Sequence, residues 1–401
     1  MLPFLVLLLN NYELTFLVWT AVALLTIQSQ YSVNFLRLLI IPVVILLLGI
    51  LPMFGETPKF FNVFRDVAYL AKPVLGLMIG YQLARIMGVR IWKAFVDIGF
   101  LLAVYHIGIL AFYYLFFGIR DMHTLRQFGG YFDDFQVYVL ILILFRKQLG
   151  IELNEKRVWW LLAIIGFSSF LYLSRVNIIQ FIILFVALKG YLRPTVRSAK
   201  IVGLSVLAVL VAYGGIYYSN PRRSGKGLEA FLYKIKIAPI EPFKSKINKE
   251  DWKDFNDNYR SFENIITVRQ LNSNESIISG MGLGSTIDLG REVWTNDGEF
   301  IRYIPILHNS YYTVWFKCGL LAMVLMFVFI YYLYKPITPL DNRIRHYNYL
   351  LMGSAIYLIF SNWVFMGLYL KLDNKSIVLG AILFYRYYLY RTATLAQSTE
   401  A

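Results

Sequence analysis

Long apolar runs separated by short polar or basic breaks fill most of the chain. They lie at residues 2–27, 35–54, 67–86, 93–118, 135–149, 158–174, 176–192, 201–218, 310–334, 347–370 and 375–391. A helix of about 20 apolar residues covers the hydrocarbon of a bilayer. Inside a membrane every backbone polar group must be satisfied within the segment, so the runs predict transmembrane helices. Two runs are irregular. Asn10, Asn11 and Glu13 interrupt the first, which is either one long tilted helix or two short segments. Arg146 and Lys147 close the fifth early. The total is about eleven or twelve spans.

One polar stretch breaks the pattern, at residues 219–307. It is not a flexible linker. Leu228, Phe231, Leu232 and Ile235, then Phe262, Ile265, Ile266 and Leu271, recur at helical spacing. Turn signals stand at Asn220-Pro221, Ser224-Gly225 and Asn272-Ser273-Asn274. The expectation is two or three short helices, partly lying on the membrane face and capping a cavity in the bundle. The chain divides into an N-terminal bundle (1–218), this loop (219–307), C-terminal spans (308–391) and a tail (392–401).

Charge orients the bundle. Arg85, Arg90 and Lys93 share one loop, and Arg146, Lys147, Lys156 and Arg157 the next loop but one. Then come Arg193, Arg197 and Lys200, then Lys335, Arg343 and Arg345, then Arg386 and Arg391. Every second connection is basic, as cytoplasmic loops are. The polar stretch and the turn at Ser174-Arg175 then face outward, and the C-terminus inward. Eleven spans put the N-terminus outside; twelve put it inside, the usual start for a polytopic chain without a cleavable signal.

Composition agrees. The chain is 58% hydrophobic and 16% charged, with mean hydropathy +0.57. The net charge of +15 reflects the basic inner loops and an arginine surplus outside, not nucleic-acid binding. The one cysteine, Cys318, lies in an apolar run, so no disulfide or cysteine metal site is expected. Many of the 30 tyrosines fall at helix ends, an interfacial belt.

Candidate chemistry is sparse. There is no phosphate-binding loop of the GxxxxGK type, no HExxH, no GxSxG and no CxxC. Gly280-Met281-Gly282-Leu283-Gly284 lacks a preceding strand, so tight turning or close packing is its default reading. Of the four histidines, His346 is interfacial and His106 suits a helix-packing hydrogen bond. His123, beside Asp121 and Arg126, reads equally as surface or site. His308 stands where the polar stretch meets a span, placed to take a proton from a substrate hydroxyl. Arg175 lies outward against the charge trend; it is a snorkelling anchor or a phosphate fork. Arg222, Arg223, Arg260, Arg269, Arg291 and Arg302 add outward positive charge for an anionic ligand, partly offset by Glu263, Asp288, Asp297 and Glu299.

His308-Asn309, nine residues, then Gly319 resembles the His-Asn…Gly-x-x-Gly element of the O-antigen ligase and polymerase superfamily of bacterial membrane glycosyltransferases. Ser174-Arg175 before an apolar span resembles that family's Ser-Arg element. Arg260 or Arg269 ahead of the Gly280 run resembles a third. The likeness spans about residues 160–330. It departs at Ala322, in place of the last glycine, and at Ser279-Gly280, which lacks a preceding proline. Arg260 fits the pattern slightly better; Arg269 is closer to Gly280.

The resemblance implies an all-α polytopic membrane protein of the bacterial inner membrane, with one large, partly helical periplasmic loop. It implies an undecaprenyl-pyrophosphate-linked glycan as donor and a metal-independent, inverting transfer without cofactor. His308 would be the base, Arg175, Arg260 and Arg269 would bind pyrophosphate, and Asn309, Gly280 and Gly282 would support them. A polymerase of O-antigen, capsule or exopolysaccharide units is the first expectation, with a chain-length regulator as partner. A ligase acting on lipid A–core, or a protein, is the second. A non-catalytic transporter of the lipid-linked glycan is the third.

Overall fold

A computed structural model describes every residue except 1, 55–57, 121–123, 126–127, 131, 194, 223–227, 238–246, 248–254, 256–257, 295–299 and 401. His123, Arg223, Asp297, Glu299 and the Ser224-Gly225 turn therefore lie outside the described residues. The chain is mostly helical. Its helices are α1 (Tyr12–Leu25), α2 (Val33–Leu48), α3 (Phe60–Met87), α4 (Arg90–Phe116), α5 (Asp133–Leu144), α6 (Glu155–Leu171), α7 (Arg175–Leu188) and α8 (Val196–Ser219). Then follow α9 (Leu228–Ile237), α10 (Tyr259–Ser273), α11 (Ser310–Tyr334), α12 (Asn342–Val364) and α13 (Lys375–Glu400). Among the described residues, α3, α4, α8, α11 and the stretch Val33–Met53 are long and apolar enough to cross a membrane. α1 and α7 are apolar but shorter.

The breaks follow the residues. Asn10 adopts a left-handed backbone and Asn11 caps α1 by accepting from Leu14 N. Residues 2–9 therefore fold back, and Trp19 Nε1 donates to Pro3 O at 2.9 Å. Of the two readings of the first apolar run, the two-segment one describes it. Residues 2–9 alone are too short to cross a bilayer at about 1.5 Å per residue. α5 stops at Leu144, just before Arg146, as the charges required. α13 runs unbroken past Arg391, so residues 392–400 continue the last helix instead of forming a separate tail.

The polar stretch also departs from purely helical form. β1 (Ile287–Trp294) and β2 (Phe300–Ile304) make an antiparallel hairpin with a register irregularity between Asp288 and Val293. Ile287 and Leu289 point inward while Asp288 points out, the period of a half-buried strand. Arg302 forks onto Asp288, both bonds 2.8 Å, and holds that carboxyl below its usual range.

Contacts sort the connections to two ends. At one end α3, the glycine-rich run, the starts of α5, α11 and α13 and the segment after α12 meet. Lys317 bonds Asp66, Gly284 N donates to Asp66, Lys375 bonds Asp134, and Lys72 bonds the carbonyls of Leu370 and Lys371. At the other end lie the basic connections: Arg85 donates to Gln30 O, Tyr347 to Leu149 O and Arg386 to Lys335 O. α8 stands apart, exposed along nearly its whole length, with Tyr213 bonding Lys236 O of α9 at 2.7 Å.

Glycines set the tightest helix contact, that of α3 with α13. A Cβ on Gly80 would lie 1.9 Å from Ile377 O, and one on Gly380 would lie 2.2 Å from Leu77 O. Small residues at such seams let membrane helices approach without a hydrophobic drive. Gly80→Ala is therefore expected to cost about 1–3 kcal/mol or more, since backbone cannot yield as a side chain does. Gly108 of α4 has nothing within 4 Å of a built Cβ. Gly108→Ala is expected to be neutral or stabilising. Melting of both purified variants checks this; equal losses would remove the packing argument.

Candidate functional site

The α10–α11 junction builds the site. Glu263, Thr267 and Leu271 recur at four-residue spacing on α10 and are all buried. That stripe carries the Glu263 carboxylate inward, where it is 1% exposed. A buried charge needs partners, and His308 supplies two. Its backbone N donates to Glu263 Oε2 at 3.1 Å, and its ring Nδ1 lies 3.0 Å from both carboxylate oxygens. With Nδ1 carrying the proton toward Glu263, Nε2 is left as a bare acceptor. The His308 side chain is 49% exposed, so this nitrogen is open to a ligand. Tyr259 sets its ring edge against the imidazole, centroids 5.9 Å apart. Burial, and then the charge of Glu263, keeps the Tyr259 phenol protonated well above its ordinary range.

Two neighbours hold the His308 backbone. Its carbonyl accepts from Met366 N at 3.1 Å, tying it to the segment after α12. Asn309 is the N-cap of α11, its Oδ1 accepting from Tyr311 N and Tyr312 N at 3.0 and 3.4 Å. Its buried Nδ2 has no hydrogen-bond partner among the described residues. Beneath, a narrow crevice is lined by Ile306, Thr313, Met366, Tyr69, Asp66 and Lys317.

The glycine-rich run acts on α11. Gly319 has φ 85° and ψ 175° and breaks that helix. The break releases carbonyls of the preceding turn, and Met281 N takes Phe316 O at 2.6 Å while Gly282 N takes Lys317 O at 3.1 Å. Leu320 N in turn donates to Ile278 O at 3.0 Å. Gly280 and Gly282 have φ of 75° and 82°. A Cβ on Gly280 would lie 2.6 Å from Gly319 N. These glycines support the site by locking loop to helix and are buried from any ligand.

The arginines divide. Arg260 is exposed on the first turn of α10, three residues before Glu263, and so its neighbour on the helix surface. Arg269 is six residues beyond Glu263, about 9 Å along the axis and about 120° around it. Arg260 is thus the nearer of the two to Glu263 along the helix. Arg175 is exposed at the start of α7. α7 packs on α5 and α12. Gln180, a little over one turn on, donates to Asp134 O at 3.1 Å. Arg175 therefore shares the polar end with His308, and α12 stands between their helices.

Two functional candidates escaped the sequence reading. Glu263 read only as a partial counter-charge, although a carboxylate on the Thr267–Leu271 stripe is a signal of its own. Arg65 of α3 has buried Nε and Nη2 atoms with no hydrogen-bond partner among the described residues, and its Nε is 3.9 Å from Asp66 Oδ1. His106 lies in the core, its Nδ1 2.8 Å from Ser168 Oγ and its ring stacked on Tyr172, a packing contact away from the site. Among the described residues no group of histidine, cysteine and carboxylate side chains is arranged to hold a metal ion. No protein-family model matches the chain, and no curated protein matches it in sequence.

Proposed function

We propose that the chain is a bacterial inner-membrane glycosyltransferase that joins undecaprenyl-pyrophosphate-linked repeat units into an O-antigen, capsule or exopolysaccharide. The observation that carries this reading is the His308–Glu263 pair, an imidazole fixed through Nδ1 with Nε2 bare at the polar end of a membrane bundle. His308 takes the proton of the acceptor hydroxyl as that oxygen attacks the donor's anomeric carbon. The bond from that carbon to the pyrophosphate oxygen breaks on the opposite face. The configuration inverts, and the lipid pyrophosphate leaves as an anion. Glu263 holds the tautomer and steadies the imidazolium, as the carboxylate does in a hydrolase triad. Arg260, Arg175 and the spare donors of Arg65 supply positive charge for the leaving group, the part a metal plays in other transferases.

The polar end is periplasmic in this reading, since the basic connections gather at the other end. The crossings are about eleven, α1 to α8 and α11 to α13. The loop helices α9 and α10 and the hairpin then cover the site from outside.

The test is gel analysis of surface polysaccharide in a deletion strain carrying the wild-type or the His308→Ala chain. Single-unit glycan on lipid A–core with His308→Ala, and a full ladder with wild type, supports a polymerase. Full-length polymer retained on the lipid carrier would make the enzyme a ligase. An unchanged ladder in the deletion strain would end the glycosyltransferase reading.

A further inference from the structure

A cavity of about 300 Å³ lies at the opposite, basic end of the bundle. The start of α2, the segment after α11 and the later turns of α13 enclose it. Its polar lining is Ser32, Asn34, Thr338, Arg386, Tyr387 and Tyr390. We propose that this cavity binds the phosphate of an anionic phospholipid headgroup, with Arg386 as its anchor.

Arg386 carries the argument. It is 8% exposed, yet it faces burial alone: among the described residues no carboxylate lies within ion-pair distance of it. Its guanidinium donates to Lys335 O at 3.3 Å from Nη1. A buried cation without a counter-charge is costly. A guanidinium also has the fork that matches two phosphate oxygens. The other groups present act in the same direction. Arg85 reaches Gln30 O, two residues before Ser32, and brings a second cation to the edge. α2 begins at the cavity, so its first amides add partial positive charge there. Ser32, Thr338 and the two tyrosines offer hydroxyl donors.

The walls point to a lipid as the source of that phosphate. Phe35, Pro336, Ile337 and Leu383 complete the lining. Leu36 and Ile40 of α2 are exposed on the flank below it, at 46% and 59%. A headgroup seated on Arg386 has an apolar surface for its acyl chains. Basic pockets where membrane helices end on the cytoplasmic side are the places that hold anionic headgroups. The site is independent of any transfer chemistry at His308.

The test uses native mass spectrometry of the full-length protein with phosphatidylglycerol, phosphatidylcholine or inorganic phosphate. Phosphatidylglycerol is expected to be retained through delipidation and phosphatidylcholine to be lost. Arg386→Gln is expected to lower phosphatidylglycerol retention at least tenfold. Thr338→Trp, at an exposed rim position, blocks the cavity without touching the charge, and is expected to do the same; it carries the test if Arg386→Gln does not fold. Equal retention by wild type and Thr338→Trp, or equal retention of the two lipids, overturns the proposal. Inorganic phosphate displacing the lipid at equal concentration assigns the cavity to a soluble anion instead and overturns the lipid assignment.

Discussion

His308→Ala is expected to stop glycan transfer while the protein stays folded in the membrane. The side chain is half-exposed, so its loss removes little packing. Its ring provides the one bare, carboxylate-oriented imidazole nitrogen among the described residues of the polar end. A positioned general base contributes on the order of 10²–10⁴ in rate, and a loss of that size leaves no visible polymer. Glu263→Gln is the sharper companion. The amide keeps an acceptor for His308 N, but it neither selects the tautomer as strongly nor stabilises the imidazolium. Transfer is expected to fall roughly 10-fold to 100-fold. The measurement is release of undecaprenyl pyrophosphate by purified protein in nanodiscs. Wild-type turnover by Glu263→Gln would reduce the pair to a structural contact.

Lys317→Met is expected to be the most destabilising single change near the site. Lys317 Nζ lies 2.5 Å from Asp66 Oδ2 and 2.8 Å from Ser285 O, and both side chains are essentially inaccessible. Removing one member of a buried pair strands the other charge, at a cost of about 3–5 kcal/mol. Removing both charges is far milder. Asp66→Asn with Lys317→Met is expected to recover most of the loss, because the asparagine oxygen still accepts from Gly284 N, bonded at 2.7 Å in the wild type. Thermal unfolding of the four proteins forms the cycle. A double variant no more stable than Lys317→Met would mean that packing, not charge, decides this contact.

Local pattern made much of this molecule readable before its structure. The run predicted at 310–334 is the helix Ser310–Tyr334, and the basic loops fall at one end as their spacing required. What escaped depends on distant partners. Asp66 and Lys317 are separated by 251 positions, and no periodicity links them. Lone charges inside apolar runs are costly enough to announce a partner, but Lys72 and Lys317, inside the runs 67–86 and 310–334, were not singled out, and nothing local pairs them with their partners. The hairpin was missed because Gly290 and the register irregularity interrupt its alternation. Glu263, between Arg260 and Arg269 in sequence, was seen to face His308 only in the fold.

The break in α11 has a consequence for biogenesis. A membrane helix normally leaves the insertion machinery with its backbone satisfied. This one leaves with the Phe316 and Lys317 carbonyls in need of the amides of Met281 and Gly282. Those amides belong to a segment synthesised earlier. Leu283 N also reaches back to Gly49 O at 2.9 Å, so three parts of the chain made at different times must meet before the helix is complete. Unpaired backbone groups at membrane depth cost several kcal/mol each. A damaged loop therefore leaves the helix unfinished, and quality control that surveys membrane helices also inspects the polar loop that completes it.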